Sequence, residues 1–234
     1  MDADEALKQI ATYEYGQSRK GLIAVADDVR RSHNNPERRN HLRKELSALL
    51  NANATADCKQ FVCEQLSIIG AGEEVPTLAK LLTDEKLSDA ARIALERIPD
   101  SAADAVLRDA LGKTKGKTLV GVINSLGVRR DNESVGVLIK LISDPDDAVA
   151  GAAGAALGKI GGPEAVSALA RARSKASPRL RPTVVDALLR CAERSLREGK
   201  KDEATAIYRD LSAPGEARHV REAASRGLES ARAR

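Results

Sequence analysis

Apolar residues recur at intervals of three and four along most of the chain, the spacing that gathers them on one face of an α-helix, and helix breakers fall where such stretches end. The clearest case runs from Glu133 to Ile160. ESVGVLIKLIS sets Val135, Leu138, Leu141 and Ile142 on one face, Asp144-Pro145 stops it, and DDAVAGAAGAALGKI makes a second helix. Asp144 is expected to cap that second helix, with Pro145 at its first position, where a missing N–H has no partner to lose. Gly161-Gly162 ends the pair and Pro163 opens the next.

The same periodicity predicts helices over 36–50 and 55–69, 73–83 and 85–98, 101–111 and 117–126, 163–174 and 177–197, and 201–211 and 216–231. One more pair occupies 4–33, broken near Tyr15-Gly16-Gln17-Ser18. These pairs repeat. Leu95, Leu126, Leu157 and Leu188 follow one another at 31 residues; Leu66 precedes Leu95 by 29, and Leu228 follows Leu188 by 40. A two-helix period of this length cannot bury its apolar face alone and does so by stacking on its neighbours. The expectation is an all-α fold, an α-α superhelix (HEAT/ARM-like solenoid) of about seven helical pairs. It is expected to form a single domain over 1–234, with capping pairs at 1–35 and 200–234 and core repeats at 36–199. Gly151 and Gly154 fall inside the Ala-rich second helix, each at a cost of about 1 kcal/mol relative to Ala, and close helix approach there is the expected compensation.

Composition supports helix-on-helix packing. With 42% hydrophobic residues but one Phe, three Tyr and no Trp, the interior must be built from Ala, Leu, Val and Ile, which suits helices better than a sheet. No run of 18 apolar residues exists to span a bilayer. MDADEALKQI has neither the basic nor the apolar region of a secretion signal, so a cytoplasmic location is expected; removal of a leader would make the protein exported or periplasmic instead. Cys58 and Cys63 point roughly 140° apart on one helix, so no bridge is expected between them. Cys191 lies in an apolar stripe; all three read as structural thiols.

The stretch DPDDAVAGAAGAALGKIGGPEAVSALARA, and less closely 74–98, 101–130 and 131–162, resembles the short HEAT-like repeat of phycobilin lyase subunits and bacterial scaffold proteins. TYEYGQSR, KQFVCEQLSIIG and KTLVGVINSLGVRRD resemble stretches of large bacterial HEAT-repeat proteins of the planctomycete type, many of them exported. The resemblance implies fold rather than activity, because such repeats serve unrelated functions. HEAT repeats often carry an Arg near the start of the second helix that bridges to the next unit. The matching positions here are Lys59, Ser88, Leu119, Ala150, Arg181 and Arg221, so only the C-terminal units keep Arg.

Enzymatic relatives on this scaffold find few matching residues. The His-Glu pairs of deoxyhypusine hydroxylase are missing: the histidines read His33-Asn34, His41-Leu42 and His219-Val220. Tyr13, Tyr15, Phe61 and Tyr208 are too few to cradle a displaced base as in HEAT-like glycosylases, and three of them are expected to pack within helical pairs. Nothing around the cysteines marks a chromophore site, so a phycobilin-lyase-like enzyme is a minor alternative. GKTKGK at 112–117 has one residue too few for a Walker loop and follows a helix, not a strand. No cofactor or metal is called for.

Charge is the remaining clue. The net charge is +4, but residues 171–234 carry 16 Lys/Arg against 9 Asp/Glu, whereas 51–170 carry 13 against 17. The expected function is a non-catalytic scaffold, a monomer away from membranes, that binds a protein or peptide on the concave row of second helices. The alternative is a nucleic-acid-binding solenoid with a basic C-terminal surface. Arg129, Arg130, Arg181 and Arg221 are the candidate partner-binding residues, the first two after a helix end and the others on second helices.

Overall fold

Side chains that can accept from the free N–H groups of a first helical turn stand at several of the expected helix starts, and a computed structural model describing residues 2–233 shows five of them in use. Asp2 caps α1 (Ala3–Gln9), Asn35 caps α3 (Pro36–Asn51) and Thr55 caps α4 (Ala56–Ile69). Between the first two lies α2 (Lys20–Arg31). The chain continues with α5 (Val75–Ala79), α6 (Ser88–Arg97), α7 (Ser101–Leu111), capped by Asp100, and α8 (Gly116–Arg129). Then follow α9 (Val135–Leu141), α10 (Asp147–Ile160), α11 (Pro163–Lys175), α12 (Arg181–Arg197), α13 (Lys201–Leu211) and α14 (Arg218–Ala233). The described residues form fourteen α-helices, the number that seven pairs require, and contain no strand.

The helices gather into two compact units, Met1–Ser125 and Leu126–Arg234, with the division falling inside α8. In the first unit α1 packs on α2, α3 on α4 and α5 on α6, while the second helices α2, α4 and α6 stack on one another, as do α3, α5 and α7. In the second unit α9 packs on α10, α11 on α12 and α13 on α14; α10 stacks on α12 and α12 on α14. The repeating leucines Leu66, Leu95, Leu126, Leu157 and Leu188 are all buried. Each contributes roughly 1.5–3 kcal/mol by leaving water.

Several boundaries differ from the expectation for local reasons. Asp146, not Asp144, caps α10, accepting from the Ala148 N–H at 2.8 Å. Asp144 accepts from the Asp146 N–H at 2.9 Å, so Pro145 lies before the cap rather than in the first turn. The helix expected over 73–83 is only five residues long at α5, preceded by a 3-10 turn at Gly72–Glu74. A 3-10 turn at Asn132–Ser134 introduces α9 in the same way. Gly161 and Gly162, at φ 73° and 88°, end α10 in a backbone conformation that a side chain disfavours, and Pro163 then starts α11.

Close helix approach does occur, but not at Gly151 and Gly154. A Cβ at Gly151 would have its nearest neighbour 3.8 Å away, and one at Gly154 3.7 Å away. The tight approaches are at the glycines that end the Leu-Gly pairs. A Cβ on Gly127 would lie 2.8 Å from the Ala156 Cα, and one on Gly158 2.7 Å from the Ala187 Cα. Successive second helices therefore meet backbone to backbone, Gly against Ala, at one-repeat intervals.

Candidate functional site: a cationic groove on the second unit

Because Gly158 brings α10 and α12 together at its own level, the side chains one turn away splay around the contact. They line a groove of about 420 Å³ whose walls are Arg130, Lys159, Arg190, Arg194 and Arg197, with Glu193 the carboxylate among them and Gly127, Val128 and Gly158 as apolar surface. Arg190, Arg194 and Arg197 lie four and three residues apart, the spacing of one helix face. Arg130, just past the end of α8, has φ 55°.

Two of these cations are already engaged. The Arg190 Nε donates to Asp186 at 2.9 Å, and the Arg194 Nε donates to Glu198 at 2.7 Å. Arg194 also donates from Nη1 to the carbonyls of Lys159 at 2.9 Å and Ile160 at 2.5 Å, which fixes it across the C-terminus of α10. Hydrogen bonds from Arg194 and then Lys200 hold the Glu198 carboxyl down at about 2, so it remains ionised and offsets Arg194. Arg130, Lys159 and Arg197 form no ion pair among the described residues. A second groove of about 390 Å³ between α12, α13 and α14 shares Glu193 and Arg197 with the first and adds Arg226. Its floor holds Leu189, Leu196 and the Tyr208 ring, which fits where Gly227 lacks a side chain.

The four candidate contact residues are not brought together. Arg130 lines the groove; Arg129, Arg181 and Arg221 do not. Arg181 works inside the fold: its guanidinium donates to Glu216 at 2.7 Å and to the Arg173 carbonyl at 3.0 Å, tying the start of α12 to the segment before α14. Arg173 closes the cluster at 2.7 Å from Asp210 and 3.7 Å from Glu216. This is the inter-repeat bridge expected of an Arg at that position. Arg221 is exposed on α14, and Arg129 is half-buried. Arg194 and Arg197 belong to the basic C-terminal cluster Arg194, Arg197, Lys200 and Lys201 that the sequence offers to an acidic partner, whereas nothing in the sequence singles out Lys159 and Arg190.

Elsewhere, His41 meets Asp4 at 3.1 Å and His33 lies 3.4 Å from the Arg39 guanidinium. All three cysteines are buried. Burial pushes Cys58 and Cys191 up to about 11 and Cys63 up to about 12. Among the described residues no group of three or more His, Cys, Asp or Glu side chains is arranged to hold a metal ion, and no helix is long and apolar enough to cross a membrane.

Stacked pairs of helices, with second helices in a continuous row within each unit, define an all-α repeat protein. Residues 105–189 match the family of HEAT repeats. The match carries no lyase designation. No curated protein matches the chain. Among solved structures, an archaeal HEAT-like repeats protein from Thermococcus onnurineus NA1 is similar at 15% identity over 100% of this chain and 98% of that one, with a TM-score of 0.45. Human deoxyhypusine hydroxylase in complex with glycerol is similar at 15% identity over 99% of this chain and 96% of that one, with a TM-score of 0.42.

Proposed function

We propose that the protein is a non-catalytic interaction scaffold and that the groove over α10 and α12 receives an acidic segment of a partner protein. The observation that carries this reading is the lining itself: five cations to one carboxylate, with Arg130, Lys159 and Arg197 outside any ion pair among the described residues. Such a surface attracts carboxylates over a Debye length and pairs with them at contact. Its apolar floor, with Val128 49% exposed at one edge, suits side chains that alternate with the acidic ones.

A nucleic-acid backbone is the second reading, favoured by the same cations. Against single strands stands the shortage of stacking surface: within 126–233 the one aromatic side chain is Tyr208, which is 3% exposed. The test is fluorescence anisotropy of labelled Glu-rich peptides and of a DNA duplex against the full chain, repeated with Arg130→Glu combined with Arg197→Glu. Peptide binding that weakens tenfold or more in the variant, by about 1.4 kcal/mol or more for two charge reversals, supports the scaffold reading. A duplex bound more tightly than any peptide at matched salt overturns it.

A further inference from the structure

We infer that the pocket lined by Tyr13, Tyr15 and Phe61 in the first unit binds an arginine side chain of a partner protein. The chain has four aromatic residues, and three of them line this one pocket of about 300 Å³ together with Leu22. Tyr15 is 92% exposed, so its ring is not there to fill the core. Tyr13 and Phe61 are half-buried. Exposed aromatic side chains in a chain otherwise built from aliphatic ones are the residues that concentrate binding energy.

The segment that carries the tyrosines is tied to the start of α4. The Tyr15 N–H donates to Asp57 Oδ2 at 2.8 Å, the Thr55 hydroxyl donates to the Tyr13 carbonyl, and the Thr55 N–H donates to the Ala11 carbonyl at 3.0 Å. Gly16, at φ 95°, turns the chain directly after Tyr15. The tyrosine rings are thus offered from an anchored loop and Phe61 from α4, with little backbone ordering left to be done on binding.

Charge selects the occupant. Asp57 and Glu64 line the pocket against one cation, Arg19, and Asp57 spends one carboxylate oxygen on the Tyr15 N–H. Gln60 is turned to the Lys86 carbonyl at 3.1 Å. A guanidinium satisfies what remains: its plane stacks on Tyr and Phe faces and its fork matches a carboxylate, whereas a compact ammonium does only the second well. A nucleic-acid base could stack here too, but its phosphates would meet Asp57 and Glu64. The pocket lies wholly in residues 13–64 and is independent of the groove on the second unit.

The experiment titrates the full chain with a short glycine-flanked arginine peptide and with its citrulline counterpart, which keeps the shape and loses the charge, while aromatic NMR resonances are followed. Saturable shifts of Tyr13, Tyr15 and Phe61 with Tyr208 unmoved are expected, with citrulline weaker by about tenfold. Tyr15→Ala, and Asp57→Asn with Glu64→Gln, should each weaken binding; the exposed Tyr15 can be removed without opening the core, and Asn keeps an acceptor for the Tyr15 N–H. Arg19→Gln should strengthen it by relieving like-charge repulsion. Equal shifts from citrulline, parallel movement of Tyr208, or stronger shifts with a single-stranded oligonucleotide would overturn the inference.

Discussion

Gly158 and Ala187 face each other across α10 and α12 so closely that a Cβ added to Gly158 would sit 2.7 Å from the Ala187 Cα and 3.0 Å from its carbonyl oxygen. Both obstacles are backbone atoms, so no rotamer change relieves them. Gly158→Ala should therefore lower stability by up to about 2 kcal/mol: overpacking costs roughly 1–3 kcal/mol and the better helix propensity of Ala returns about 1. Gly151→Ala would meet nothing closer than the Leu180 Cδ1 at 3.8 Å, an ordinary contact, and should gain up to about 1 kcal/mol. Urea unfolding of the two variants checks the contrast; equal effects would show that helix propensity, not contact, decides both.

That contrast marks where the sequence is readable. The recurrence of leucines at 66, 95, 126, 157 and 188 sets the paired helices in advance, because burial of one face is a periodic property of the chain. Which glycines carry the close approach is not readable, since Gly151, Gly154 and Gly158 share one helix and differ only in what the next repeat brings opposite them. The cap at Asp146 is hidden because DPDD offers three carboxylates, and reach, not residue type, chooses among them. Composition expects three of the four aromatics to pack within helical pairs without saying which; Gly16 and the tie to Asp57 place Tyr15 outside. The groove is glimpsed in the basic cluster that holds Arg194 and Arg197 and in the candidate Arg130, but Lys159 and Arg190 join it only through the stacking of repeats.

Glu216 tests the bridge between repeats. Its side chain is 7% exposed and takes the Arg181 guanidinium at 2.7 Å, with Arg173 at 3.7 Å. Glu216→Gln should cost about 1–3 kcal/mol, less than a fully buried pair because Arg181 reaches solvent. Asp210→Asn, at the wet end of the same cluster, should cost no more than about 1 kcal/mol. A double-mutant cycle between Arg181→Ala and Glu216→Gln should show coupling; additive effects would remove the bridge as a stabilising element.

Acid should loosen the first unit at its N-terminus. Arg38 on α3 holds Asp4 of α1 at 2.8 Å and Asp28 of α2 at 2.6 Å, so three helices share one guanidinium. Hydrogen bonds from Arg38 lower the Asp4 pKa, with His41 adding to the effect and partial burial opposing it. A carboxyl whose pKa is lower in the folded state stabilises above its unfolded value, about 3.9, and loses that contribution as pH falls through the folded value. Asp4→Asn should therefore flatten the fall in stability below about pH 4 while lowering stability at neutral pH. Identical pH profiles for variant and parent would contradict this.

The three thiols should be silent until the fold opens. Burial raises Cys58 and Cys191 to about 11 and Cys63 to about 12, and the thiolate is the reactive form. At pH 8 a thiol of pKa 11 is about one part in a thousand ionised, and burial also blocks the reagent, so a disulfide reagent should label none of them quickly in the native protein. Urea should release all three. Cys58 and Cys63 report on the first unit and Cys191 on the second, which makes the labelling site-specific. The Cys191 thiol points at the Gly158 carbonyl, 3.8 Å from it, on the same contact that Gly158→Ala disturbs. That substitution should therefore speed labelling of Cys191 well beyond any change at Cys63. If instead Cys63 speeds up as much as Cys191, the strain at Gly158 is relieved by opening of the whole chain rather than by separation of α10 from α12.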